Sequence, residues 1–248
     1  MASKKLKKTL LTTIYFILFI ELLALINLYI STPKGYELGS VSDWLNTAGT
    51  LGTLIVAYFA YRKVPEWMAQ KHYDIAYGII EKSIFNDLPD IRSTSLHFQT
   101  SISAVLHNFK KTVGTGTPTN LFIIDTVDQL DKLSIKFQQE SSAIINQLNT
   151  VERINYELSD TAQTTISKLN SASEIYYQTY EQLYVLYEDI MIEYSLEPEQ
   201  RKKYTDKIDD MLKTVKETNT SLTEHINEIY NKNKPISDFI TPKKQKHP

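Results

Sequence analysis

The chain has 248 residues, of which 42% are hydrophobic and 23% are charged, and its 27 basic residues nearly balance its 29 acidic ones. It has no cysteine, which excludes disulfides, thiolate nucleophiles, iron–sulfur clusters and cysteine-ligated zinc sites. The small number of glycines and prolines argues against a collagenous or wholly disordered chain. Residues 1–63 contain seven Lys or Arg and three Asp or Glu, so the amino-terminal quarter is cationic and the remainder is acidic.

The first predicted element is a membrane span over residues 9–31, whose sequence TLLTTIYFILFIELLALINLYIS contains one ionisable group. At about 1.5 Å per residue, a helix of this length crosses a hydrocarbon layer about 30 Å thick. The run is longer than the apolar core of a cleaved signal peptide, which is typically about 7–15 residues. We therefore expect a retained anchor.

A second span is predicted over residues 42–62, where no charged residue lies between Asp43 and Arg62. Lysines precede the first span and basic residues follow the second, whereas the connection over residues 32–41 holds one lysine and one glutamate. By the positive-inside rule, both termini are cytoplasmic. Residues 1–63 are thus predicted to form a transmembrane helical hairpin.

Glu21 lies near the middle of the first span, where an unpaired acid costs on the order of 2.5–3.5 kcal/mol on insertion scales. Hydroxyl groups of the second span, such as those of Thr47, Thr50 and Thr53, offer partners for a protonated carboxyl. Two interpretations stay open: a neutral carboxyl that holds the hairpin or an oligomer together, or a group that lines a pore or gates it. Asn27 and the threonines are the other polar residues that such a path has available.

The second span also carries small residues at helical spacing, which let helices approach one another closely. The pairs are Ala48 with Gly52, Gly49 with Thr53, and Thr53 with Ala57. This pattern fits packing within one hairpin and packing between chains equally well. Because a two-helix hairpin cannot enclose a pore, any channel function requires a homo-oligomer.

Residues 64–232 are predicted to form a cytoplasmic domain of long helices, in an antiparallel bundle that resembles a coiled coil. Pro65 suits the first turn of a helix that is expected to continue the second span with a bend, and apolar residues recur every three or four positions between residues 88 and 111. Gly114, Gly116 and Pro118 predict a flexible loop over residues 112–119.

The same periodicity returns after this loop and continues over about 30 residues. A soft break is expected between residues 149 and 160, and Pro198 is expected to open the last helix. Residues 233–248 form a basic tail that we predict to be disordered. The predicted fold class is therefore all-α, with a membrane hairpin followed by a long-helix bundle.

Tyrosines recur at a spacing of three and four in the helix that precedes Pro198, and five of them occupy coiled-coil core positions. These five are Tyr177, Tyr180, Tyr184, Tyr187 and Tyr194. They are interpreted either as a bundle seam whose hydroxyls reach its rim, or as an aromatic face that binds a partner. The acidic residues around them would repel phosphates, so a partner on this face is expected to be a protein rather than a nucleic acid.

No catalytic constellation is present in the sequence. The five histidines have no metal-ligand spacing, and Gly114-Thr115-Gly116 lacks the Lys-Ser/Thr of a phosphate loop. Adjacent carboxylates such as Asp209 and Asp210 point about 100° apart on a helix and form no acid/base pair. We therefore predict no enzymatic activity, catalytic residue, metal, cofactor or direct small-molecule substrate.

The segment SDWLNTAGTLGTLIVAYFAYRKVPEW at residues 42–67, followed by a helical region, resembles the two-transmembrane effectors of bacterial anti-phage systems, in particular those paired with retron reverse transcriptases. The resemblance implies a toxic effector in the bacterial inner membrane that is held silent by a reverse transcriptase with its small DNA. Phage interference releases it, and the infected cell stops growing, which is called abortive infection. The family offers no catalytic motif that matches residues here.

These observations make a membrane-acting effector the leading functional hypothesis. Its helical domain would bind a cytoplasmic regulator, and release would let several hairpins assemble through their small residues and disrupt membrane integrity or potential. One alternative is a non-toxic membrane anchor or scaffold that recruits a cytoplasmic protein through its helices. Another is an accessory subunit whose spans pack against a larger membrane protein.

Overall fold

The computed structural model describes residues 13, 15–24, 26, 41–116, 121–192 and 197–243. The chain divides into two compact units, Met1–Lys63 and Val64–Pro248. Residues 32–40 of the predicted hairpin connection and the last five residues of the basic tail lie outside the described residues. In the first unit, residues 15–24 are helical, and a long helix, α1, begins at Val41 and runs to Ile80. Among the residues that the structure describes, no helix has both the length and the apolar character needed to cross a membrane.

The second unit is a helical bundle, which confirms the all-α fold class. A π-helix at Glu81–Asp87 follows α1, and four long helices come after it: α2 at Leu88–Thr115, α3 at Leu121–Thr150, α4 at Asp160–Ile192 and α5 at Pro198–Asn231. Each of these four packs on its neighbour in the chain, and α5 packs on α2 to close the ring. Their inward faces form one core, which includes Phe98, Phe109, Phe137, Leu169 and Ile226.

Two predicted helix boundaries differ in the structure. Pro65 lies inside α1, so the helix continues past residue 62 as expected, but no new helix begins at the proline. The helix α2 continues to Thr115, through the first part of the predicted loop at residues 112–119, of which residues 117–119 are outside the described part. It stops at Gly116, whose φ of 66° is left-handed and whose N–H bonds to the carbonyl oxygen of Thr112 at 2.8 Å. Pro198 opens α5 as predicted.

The predicted disordered tail is wrong for residues 233–243. A 3-10 helix at Ile236–Asp238 leads into strand β2 at Ile240–Pro242, which pairs antiparallel with β1 at Tyr156–Leu158. The strand β1 belongs to the break between α3 and α4, which the sequence did predict. Burial explains the order of the tail, because Phe239 and Ile240 enter the core and the N–H of Lys243 bonds to the Asn155 carbonyl at 2.9 Å.

The π-helix is followed by α2, whose second residue, Pro89, cannot donate a backbone hydrogen bond. In a regular α-helix the N–H at position 89 would bond to the carbonyl of Phe85, and in a π-helix to that of Ile84. Pro89 has no N–H. The Tyr230 hydroxyl from the end of α5 reaches both oxygens, at 2.7 Å from that of Ile84 and 3.3 Å from that of Phe85. The last long helix therefore supplies the donor that the proline removes.

Replacing Tyr230 by phenylalanine is expected to lower the free energy of unfolding by about 1–3 kcal/mol, because it leaves partly buried carbonyls without a donor. In a Pro89→Ala background the restored N–H should reduce this cost. Chemical unfolding of the four purified proteins, followed by circular dichroism, forms a double-mutant cycle. An equal cost of Tyr230→Phe in both backgrounds would contradict the compensation.

A second buried contact joins α4 to α5 through a histidine. Thr165 donates its hydroxyl proton to the Thr161 carbonyl at 2.9 Å, so Nε2 of His225 must be the donor in its 2.9 Å bond to Thr165 Oγ1. Burial lowers the pKa of His225, and Lys168 and Lys234 lower it further, while Glu228 acts in the opposite direction.

We predict that the folded protein loses stability in mild acid because His225 takes up a proton. The unfolded chain takes up a proton on His225 near its ordinary pKa of 6.5, whereas the folded chain does so only at lower pH. The contribution of His225 to the free energy of unfolding is therefore complete above about pH 6.5 and declines as the pH falls towards the pKa of the folded state. We expect His225→Gln to flatten this part of the stability profile measured by chemical unfolding. An unchanged slope in the variant would show that another group titrates.

Candidate functional site

The tyrosines of α4 fall on two adjacent faces, and the predicted seam is displaced by one residue. The buried positions of α4 include Ala172, Tyr176, Leu183 and Ile190. Tyr176 is fully buried, stacks on Phe98 with 4.5 Å between ring centroids, and has its pKa raised by burial to about 12. The interpretation of the predicted tyrosines as a buried seam is wrong for Tyr177 and Tyr184, which are 45% and 44% exposed.

The remaining predicted tyrosines lie between these extremes. Tyr180 and Tyr187 are half-buried, and the Tyr187 ring stacks on Phe109 at 6.1 Å while lying 6.4 Å from the Tyr184 ring. Tyr194 is outside the described residues. The structure thus brings four of the five candidates to one side of α4 and leaves two of them largely open to solvent.

Carboxylates surround this aromatic side. Glu174 and Glu181 lie on α4 itself, and Asp128 and Asp131 come from α3. A hydrogen bond to Glu181 raises the pKa of Tyr177, and burial followed by the charge of Asp131 raises that of Tyr180. We call this surface the tyrosine face, defined by Tyr177, Tyr180, Tyr184 and Tyr187 with Asp128, Asp131, Glu174 and Glu181.

The carboxylates of the tyrosine face have no cationic partners within the described part of the chain. Glu174 accepts a hydrogen bond from the side-chain amide of Gln178, and Glu181 bonds to Tyr177. No Lys or Arg among the described residues forms an ion pair with any of the four acids. Aromatic rings next to unneutralised carboxylates suit a cationic protein surface, because a guanidinium can stack on tyrosine and bond to a carboxylate together.

The two α3 acids were not singled out from the sequence. Their spacing of three residues places them on one helix side, but only the packing of α3 on α4 shows that they meet the tyrosines.

The membrane-packing candidates belong to the first unit. Glu21 and Ala48 are half-buried, while Gly49, Gly52, Thr53 and Ala57 are exposed. A Cβ atom added at Gly49 or Gly52 would meet no heavy atom within 4 Å, so the glycine side of α1 has room for another helix to approach. Asn27 is outside the described residues.

The threonine hydroxyls of the first unit form hydrogen bonds within their own helix. Thr47, Thr50 and Thr53 each donate to the carbonyl four residues earlier in α1, at 2.8 Å in every case. Their protons are therefore used within the helix and are not available to a carboxylate of Glu21. A hydroxyl that bonds back to its own helix needs no other acceptor, which suits an apolar environment.

The described residues contain no group of three His, Asp or Glu side chains that could hold a metal ion. An open depression on α5 is lined by residues of that helix alone: Lys213, Lys216, Glu217, Thr220, Ser221 and Glu224. A depression on one exposed helix surface does not enclose a substrate. The absence of a catalytic site stays a prediction from the sequence.

No protein-family model, curated protein or solved structure matches this chain.

Proposed function

We propose that this chain is a membrane-acting effector of bacterial anti-phage defence, placed in the inner membrane with both termini in the cytoplasm. Its amino-terminal hairpin acts in the membrane, and a cytoplasmic regulator bound to the helical domain holds it inactive. The observation that carries the proposal is the exposure of large apolar side chains on opposite sides of α1 between residues 41 and 63. The residue pattern of the hairpin and the resemblance to retron-type effectors support it.

The exposed apolar residues of this segment point in opposite directions. Leu45 and Leu54 are 68% and 60% exposed, and nine residues at about 100° each place them on opposite sides of the helix. Leu51, Val56 and Tyr61 are also exposed, by 50% to 76%. Apolar side chains on opposite sides of one helix are typical of a segment that is covered by protein or by lipid. The internal bonds of the threonine hydroxyls lower the cost of placing this segment in lipid.

The assembly of several hairpins is the step that makes the inner membrane permeable. The uncovered Gly49 and Gly52 permit close contact between the α1 helices of different copies. A ring of such hairpins encloses a polar path in which Glu21 is the ionisable group, and ions then cross the membrane. A homo-oligomer is required because one hairpin has no interior.

The tyrosine face is the proposed binding site for the regulator. Its exposed rings supply contact area, and its four carboxylates select a cationic protein surface and disfavour bare nucleic acid. In a retron-type system this regulator is the reverse transcriptase with its small DNA, and the contact is made by the protein component. Loss of this contact frees the hairpins to assemble.

Expression of the chain without its neighbouring genes is expected to depolarise bacterial cells before viability falls. A voltage-sensitive dye measures the potential, and a variant lacking residues 1–63 is the control that should stay harmless. Gly52→Leu should reduce the depolarisation because it blocks close helix contact, and Glu21→Ala should reduce it because it removes the polar group of the path.

Healthy cells with unchanged potential, at confirmed membrane expression, would favour the non-toxic anchor instead. In that case an unrelated hairpin should replace residues 1–63 without loss of function. A larger membrane protein that co-purifies in fixed stoichiometry would favour the accessory subunit.

Regulation through the tyrosine face predicts a separate class of variants. With the neighbouring genes present, Tyr177→Ser combined with Tyr184→Ser should release toxicity, measured as loss of colony formation without phage. Leu96→Ser is the matched control, because Leu96 is an exposed apolar residue of α2 with 52% exposure. All three substitutions are at the surface, so unfolding free energies should change by about 0.5 kcal/mol or less. Continued repression in the double variant would place the regulator elsewhere.

A further inference from the structure

We infer that the first turns of the second unit, residues 64–75 of α1, lie in the headgroup region of the phospholipid bilayer and bind it through one open side of the helix. This inference rests on the proposed membrane location of the hairpin and adds a lipid-binding surface outside it. We call the surface the lipid stripe. Its residues are Val64, Trp67, Met68, Lys71 and Ile75.

The lipid stripe is apolar and uncovered. Val64, Trp67, Met68 and Ile75 are 46%, 60%, 38% and 44% exposed. Their spacing of three and four residues places them, with Lys71, within a sector of about 100° on the helix surface. Exposed apolar residues gathered in this way indicate a surface that is normally covered.

The other two sides of the same helix have different environments. One side enters the bundle, where Ala76 and Ile80 are fully buried and the Tyr73 ring lies 6.3 Å from that of Tyr156. Another side is polar, with Gln70 donating a hydrogen bond to Asp74 at 2.8 Å. Packing and polar contacts therefore account for those sides and leave the lipid stripe without a role inside the unit.

The chemistry of the lipid stripe selects the bilayer over another protein. The ammonium of Lys71 lies 5.4 Å from the centroid of the Trp67 ring. Tryptophan favours the level of the headgroups, and lysine extends its charge towards phosphate while its methylene stem stays in an apolar layer. The stripe thus combines an exposed tryptophan with a lysine over its ring, which is the composition that a membrane interface favours.

The position of Trp67 gives a direct test, because the chain has two tryptophans. In the full-length Trp44→Phe variant, Trp67 is the single remaining tryptophan. After reconstitution in phosphatidylcholine and phosphatidylglycerol vesicles, its fluorescence should be quenched more by lipids brominated near the headgroups than by lipids brominated deep in the chains. It should also resist aqueous acrylamide. The expected depth is about 5–10 Å into the boundary between headgroups and acyl chains.

Two matched controls use Gln70, which directly precedes Lys71 and lies on the polar side of the helix. A lone tryptophan introduced by Gln70→Trp, in a Trp44→Phe and Trp67→Phe background, should stay accessible to acrylamide and escape bromolipid quenching. Lys71→Gln should weaken the quenching of Trp67, whereas Gln70→Glu, which changes the net charge by the same amount, should leave it unchanged.

Suppose that the protein floats with the vesicles, but that acrylamide quenches Trp67 and neither bromolipid does. This result would overturn the lipid stripe and leave the membrane hairpin standing. Trp67 that is shielded from acrylamide without bromolipid quenching would also overturn it, since a protein surface then covers the stripe. Protein that fails to float would overturn both this inference and the membrane hairpin. Shallow quenching without depolarisation of cells would retain the lipid stripe and reject the effector activity.

Discussion

Pro89 lacks the N–H that would bond to the carbonyl of Phe85 or of Ile84, and the hydroxyl that replaces this donor joins two ends of the bundle. The compensating hydroxyl comes from Tyr230, which is 141 positions further along the chain. The same ring packs edge-on against Phe85, and Phe85 packs in the same way against Phe239. The start of α2, the end of α5 and the carboxyl-terminal segment are thus held at one point. The short sheet follows from this, because Phe239 directly precedes β2.

Buried polar contacts set the register of the helices around this point. Tyr176 donates to the Ser95 hydroxyl at 2.6 Å, Ser95 donates to Oδ1 of the Asn219 side chain at 2.8 Å, and Nδ2 of Asn219 donates to Oε1 of Gln99 at 3.0 Å. Three helices meet in this chain of bonds. Apolar stripes alone tolerate sliding by one turn, but sliding here would leave several buried polar groups unsatisfied. The polar layer therefore selects one alignment among several that the apolar pattern permits.

Periodicity alone predicted the helices of the bundle and the break before α4, because long amphipathic stretches and proline at a helix start are strong local signals. The errors occurred where distant contacts outweigh local preference. Residues 233–243, which were expected to be disordered, are ordered by the burial of Phe239. The phase of α4 was ambiguous because Tyr176 and Tyr177 are chemically identical neighbours. Only the packing of Phe98 and Phe137 on Tyr176 distinguishes them.

The change of pattern along α1 explains why one helix belongs to two units. Up to Lys63 its apolar side chains are exposed on opposite sides, whereas beyond Val64 the apolar, buried and polar positions separate into three sides. A helix inside an apolar medium needs no polar side, while a helix at a boundary must present a different side to each environment. The residue at which the pattern changes coincides with the division between the units. The two halves of this helix are thus patterned for two different surroundings, although the backbone hydrogen bonds continue between them.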